Sequence, residues 1–167
     1  MNIHEKYKIE ETADSFSIKP HWHLINTFWY NFIGIIASGF ALLVFFDELR
    51  DEIKMILGGL IFYCIFYCLY TCFFKLSIRY TFERRSNAVV KSSWLTGTKK
   101  IMRLDEVVIF ESSEAGRWNF SMGAKKNHFV KSYAISEHFT SGKKSAEREK
   151  NYEDFILNKI NKMIRMF

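Results

Sequence analysis

The sequence predicts an α+β membrane protein: an N-terminal transmembrane α-hairpin, then an antiparallel β-sheet or partly open barrel, capped by a C-terminal helix. Three observations predict it. Residues 24–46 and 55–74 hold no charged side chain and are separated only by DELRDEIK. Residues 76–135 alternate polar and apolar positions between turn signals. Residues 146–166 repeat apolar positions at three- and four-residue steps.

The first two stretches, LINTFWYNFIGIIASGFALLVFF and MILGGLIFYCIFYCLYTCFF, are long enough to span a bilayer. A helix rises about 1.5 Å per residue and the hydrocarbon core is about 30 Å thick, so roughly 20 apolar residues cross it. A core helix of a soluble domain keeps a polar face, and neither stretch has a charged one. A cleaved signal peptide is not expected: the first run begins after 23 mainly polar residues and exceeds the length of a signal core. The expected loop, 47–54, carries a net charge of −2, whereas 75–167 carries +9 and 1–23 carries −1. Lys75, Arg79, Arg84 and Arg85 follow the second stretch closely. Basic excess beside a membrane helix marks the cytoplasmic side, which implies an inner-membrane protein with both termini cytoplasmic and the loop outside.

Antiparallel pairing of Phe46 with Met55 would set Gly34 near Tyr67 and Ser38 near Tyr63, small against aromatic. Asn31 would lie within a turn of Tyr67 or Tyr70, whose hydroxyls can satisfy its amide in lipid. Trp22, Trp29 and Tyr30 gather where aromatic rings anchor at the inner interface. Cys64, Cys68 and Cys72 share a helix face but have no neighbouring His or carboxylate, so packing is the expected role rather than a metal site.

Six strands are expected after the hairpin: LSIRYTFER, AVVKSSWL, KKIMRL, VVIFESS, RWNFSMGA and NHFVKSYAI, with turns at RSN, TGTK, Asp105–Glu106 and Glu114–Gly116. Residues 136–145 form a loop, and Ser145 is the expected N-cap of the last helix. Tyr152, Phe155, Ile156, Ile160, Met163, Ile164 and Phe167 form its apolar stripe. Residues 1–23 are expected to be a separate cytoplasmic segment.

The segment YTFERRSNAVVKSSWLTGTKKIMRLDEVVIF resembles the opening of the pleckstrin-homology-like domain found in bacterial two-helix inner-membrane proteins. The matching positions are Tyr80, Phe82, Glu83, Arg84, Asn87, Val89, Val90, Leu104, Asp105, Val107 and Val108. That fold has seven strands, so the resemblance implies a seventh, sought in a bend of the first strand or within 116–135. It also implies a binding module: a non-enzymatic domain that recruits a protein partner at the membrane, with an immunity protein against an interbacterial toxin as the specific version. Two further roles fit the same architecture. One is an accessory subunit of a membrane complex, held through Gly34, Ser38 and the Cys64 stripe. The other is an anionic-lipid adaptor.

No sequence motif for a nucleophile elbow, phosphate-binding loop, zinc protease or Cys-x-x-Cys pair occurs, so no enzyme and no cofactor is expected. His21 and His23 flank Trp22 without a third ligand, His128 and His138 stand alone, and no metal site is expected. Glu111 and Glu114 serve to keep a strand end soluble. The basic side chains are the candidate lipid or partner contacts: Arg84, Arg85, Lys91, Lys99, Lys100, Arg103, Lys125 and Lys126. Lys131, Lys143 and Lys144 add to the same excess. Near an anionic leaflet each contributes about 1 kcal/mol. Nucleic acid is not an expected partner, since Trp94, Trp118 and Phe120 are read as core rather than as stacking platforms.

Overall fold

The computed structural model describes residues 3–125 and 131–165. Lys126, His128 and Phe167 lie outside the described residues. The chain divides into two compact units, Met1–Trp22 with Ser77–Phe167, and His23–Leu76.

The first unit is mixed α+β. A short helix α1 (Ile3–Lys6) leads into β1 (Glu10–Glu11) and β2 (Ser15–Ile18), before the helical unit begins. After it come β3 (Arg79–Glu83), β4 (Ala88–Ser93) and β5 (Gly97–Met102), then β6 (Val107–Glu114), β7 (Arg117–Ala124) and β8 (Tyr133–Ala134). Strands β1 to β5 form one antiparallel meander and β6 to β8 a second sheet, without closing into a barrel. The N-terminal segment is therefore part of the sheet rather than a separate piece. Phe16 pairs with Phe82 and Ile18 with Tyr80, and all four side chains are buried. Arg79 of β3 donates twice to the Glu10 carboxylate, at 2.6 and 2.8 Å, which ties β1 across the sheet.

Local sequence explains the turns. Ala115 and Gly116 both have positive φ, 49° and 74°, as the two-residue turn that matches strand twist requires. Asn87, at φ 44°, closes the β3–β4 turn. Its side-chain oxygen accepts from the backbone N–H groups of Leu104 and Asp105, so one residue shapes a turn and positions the start of β6. Five of the six expected strands form near their expected bounds. The first four residues of the sixth, 127–130, lie outside the described residues, and its described part forms a strand at Tyr133–Ala134. The second strand ends at Ser93 rather than Leu95.

The C-terminal helix runs as α4 (Lys143–Tyr152), a π-helical stretch Glu153–Leu157 and α5 (Asn158–Ile164). Gly142, not Ser145, occupies the cap position. Ser145 is buried, and its hydroxyl accepts the Thr140 N–H at 2.9 Å. Tyr152, Ile156 and Ile160 are fully buried, but Phe155 is half exposed and Leu157 takes its place in the core. The π turn is the reason: it adds a residue to one turn and rotates the stripe that an unbroken 3.6-residue period places on Phe155. The Tyr152 ring stacks on Phe120 at 5.7 Å and meets Tyr7 edge-on at 5.0 Å.

The second unit holds α2 (Ile25–Val44) and α3 (Asp51–Tyr70), the latter continuing as a π-helical stretch Thr71–Leu76. Trp22–Val44 and Asp51–Leu76 are long and apolar enough to cross a membrane. The second helix starts four residues earlier than expected, inside the acidic linker, where Asp51 and Glu52 occupy the first turn and complement the helix dipole.

Phe28, Phe32 and Ile35 of α2 line a crevice with Ile65, Cys68 and Cys72. Ser38 and Tyr67 are half-buried, whereas Gly34 is exposed. A Cβ on Gly34 would meet nothing within 4 Å. Tyr63 is 66% exposed and stacks along its own helix on Tyr67, at 6.4 Å. Tyr70 stacks on Phe74. Asn31 has no need of a tyrosine: its amide donates to the Thr27 carbonyl one turn back, at 2.8 Å.

Candidate membrane and partner interface

Between Glu83 and Asp105 the chain holds Arg84, Arg85, Lys91, Lys99, Lys100 and Arg103 and no acidic residue. The fold sorts these six into two groups along the β3–β4–β5 meander: Arg84, Arg85 and Arg103 about the β3–β4 turn, and Lys91, Lys99 and Lys100 in the paired strands β4 and β5.

Arg84 and Arg85 sit in the β3–β4 turn and are exposed. The backbone N–H of Arg84 donates to Asp14 at 2.8 Å, so this turn is pinned to the β1–β2 turn. Arg84 borders a shallow crevice with Lys159 and Lys162 of α5 and with Glu11. Lys159 and Glu11 form an ion pair. Arg103 lies at the same end and is bound to Asp105 at 2.6 Å. Lys125 is exposed at the end of β7, in the other sheet, and its N–H donates to the Glu106 carbonyl. The structure therefore does not gather the candidate basic residues into one patch.

The second group is the stem of the β4–β5 hairpin. Lys91 lies directly opposite Lys99, and Val90 opposite Lys100. The two-residue period of β5 sets Lys99 on the face of Lys91 and Lys100 on the other. Lys91 reaches the Tyr133 ring at 5.7 Å, and that ring meets Tyr80 edge-on. Two lysines directly opposite on one face repel each other.

At the tip of this hairpin stand Trp94 and Leu95, 74% and 54% exposed. The sequence places both in the second strand, with Trp94 as core, but the chain leaves the strand after Ser93 and returns at Gly97, whose φ of 64° suits glycine. The signal in the sequence is that glycine. A residue at positive φ begins the returning strand, which moves the turn two residues earlier than TGTK implies.

A buried charged cluster also escaped the sequence reading. Glu137, in the expected loop 136–145, is 6% exposed and paired with Lys6 of α1 and with Arg148 of α4, the latter at 3.3 Å. Burial, reinforced by the negative charge of Glu137, holds the Tyr7 phenol well above the ordinary tyrosine range. Burial does the same to Tyr152, whose hydroxyl donates to the Ile135 carbonyl at 2.6 Å. A carboxylate held by two cations and two phenols kept protonated make a cross-link between the N-terminal segment and the C-terminal helix. Trp118 adds another tie, its indole N–H donating to Glu149 at 2.5 Å. Trp22 stacks under Lys8 and Lys19, at 4.6 and 4.8 Å from its ring centre. Among the described residues, no three His, Cys, Asp or Glu side chains gather to hold a metal ion.

Comparison with family models, with curated proteins and with solved structures finds no match for this chain.

Proposed function

We propose that this chain is a non-enzymatic integral protein of the inner, cytoplasmic membrane, whose pleckstrin-homology-like sheet domain binds a protein partner at the membrane surface. The observation that carries the reading is what the two helices leave uncovered. Leu43, Met55, Ile56, Phe62 and Phe66 are each at least 68% exposed, with Phe40 at 67%. Apolar surface of this extent, around both helices, needs a lipid solvent or a protein cover.

The pairing of β2 with β3 supports both termini lying on one side. These strands are hydrogen-bonded neighbours, and the helical unit is the connection between them. A chain that leaves one strand and returns to its neighbour through a two-helix hairpin crosses and recrosses. The acidic Phe45–Arg50 turn and the basic excess after Leu76 make the shared side cytoplasmic. The pleckstrin-homology-like reading is supported by two antiparallel sheets and a C-terminal helix among the described residues, with β2, from before the hairpin, extending the first sheet. The partner class that the resemblance implies is an interbacterial toxin, with protection of cells making the full chain as its readout.

Alkaline carbonate washing of membranes from cells expressing the full chain tests the membrane reading. The protein stays in the pellet and is released by detergent. Release by carbonate alone contradicts the reading.

A further inference from the structure

We infer that the β4–β5 hairpin is a second membrane contact: a wedge that enters an anionic lipid surface tip-first, with Trp94 and Leu95 in the acyl boundary and Lys91, Lys99 and Lys100 at the phosphates. The inference rests on the membrane reading above. It adds a lipid site at a place distinct from the two apolar helices.

The dimensions agree. Lys91 and Lys99 stand two rungs behind the last strand pair, Ser93 with Gly97. Two rungs are about 7 Å along a strand. The polar layer on each side of a bilayer is about 5–8 Å deep, the difference between the hydrocarbon core and the full thickness. With the last strand pair at the acyl boundary, Lys91 and Lys99 therefore stand at headgroup level, and Lys100, one rung further back opposite Val90, reaches the phosphates along its side chain.

The chemistry agrees as well. Tryptophan joins a large apolar ring to an N–H donor and favours the interface, where one end is apolar and the other wet. No carboxylate occurs anywhere from Arg84 to Leu104 to oppose an anionic surface. Alternation along β5 puts lysines on both faces of the ribbon, which suits an edge-on wedge flanked by headgroups on either side. The directly opposed Lys91 and Lys99 repel in water, and phosphates between them relieve that repulsion. A protein partner would match the exposed tip but gives no reason for a stem that carries lysines and no carboxylate from Arg84 to Leu104.

The test uses the full chain reconstituted in vesicles of equimolar phosphatidylcholine and phosphatidylglycerol, with or without lipids brominated near the glycerol end of the acyl chain. The difference between wild type and Trp94→Phe isolates emission from the tip. The difference from Trp29→Phe isolates emission from the first apolar helix, where Trp29 is 54% exposed. Brominated lipid is expected to remove most of the Trp94 emission in the mixed vesicles. In pure phosphatidylcholine, at high salt or in the Lys99→Glu/Lys100→Glu variant, that loss is expected to disappear while Trp29 stays quenched. Quenching of Trp29 with Trp94 unaffected overturns this inference and leaves the membrane reading standing. Quenching of Trp94 that ignores lipid charge and the lysine changes overturns the headgroup contact. Quenching of neither overturns the membrane reading and this inference with it.

Discussion

Tyr7, Tyr80 and Tyr152 show how single side chains lock the sheet domain. Each is nearly or fully buried, and burial raises each phenol well above its ordinary value of 10.0. In the unfolded chain these groups lose their protons near pH 10, whereas the folded chain keeps them. Folding therefore holds more protons than unfolding above that pH, and stability present below pH 10 is lost as pH rises. Three such groups give a slope of up to about 4 kcal/mol per pH unit. In alkaline titration, the buried tyrosines should ionise in one step with loss of tertiary circular dichroism. Smooth ionisation of every tyrosine with the fold intact contradicts this. Tyr152 was legible in the sequence because it opens a helical stripe. Tyr7 was not: it stands in a polar stretch with no period, and its partners Glu137 and Tyr152 are more than a hundred residues away.

At the scale of elements, the decisive pairing is β2 with β3. The sequence shows β3 clearly, since RYTFE alternates between turns. It hides β2, because four residues are too few to establish a period. A further strand was sought after the hairpin, whereas β2 joins the sheet from before it. The Phe155 position was misplaced for another reason: a π turn leaves no composition mark and shifts every later residue around the helix. The β2–β3 register can be tested directly. Ser17 and Thr81 are opposed, and opposed residues lie about 4.5–5.5 Å apart at Cα, within disulfide reach. With the three native cysteines replaced by alanine, Ser17→Cys with Thr81→Cys should lose both thiols on mild oxidation and recover them on reduction. Thiols that persist under oxidation contradict the register.

For the molecule as a whole, the charge rule and the sheet topology support the proposed arrangement from independent physics. Flanking charge reports which side the insertion machinery retains. Strand pairing reports which ends must meet, whatever the charges. The two apolar helices and the strand-rich region were legible because long uncharged runs and period-two alternation survive in any context. The N-terminal contribution to the sheet, the paired state of Arg103 and the exposed hairpin tip were not, because each depends on residues distant in sequence or on the phase of a turn. The central claim is that both segments flanking the helical hairpin lie together on the cytoplasmic side, with the turn between the helices outside. It is tested most directly by single cysteines at three exposed positions, Ala13→Cys, Glu48→Cys and Ser141→Cys, each in a background with Cys64, Cys68 and Cys72 changed to alanine. Applied to intact spheroplasts, a membrane-impermeant maleimide should label Glu48→Cys, and should label Ala13→Cys and Ser141→Cys only after lysis. Labelling that puts Ala13→Cys and Ser141→Cys on opposite sides, or protects Glu48→Cys along with them, contradicts the account.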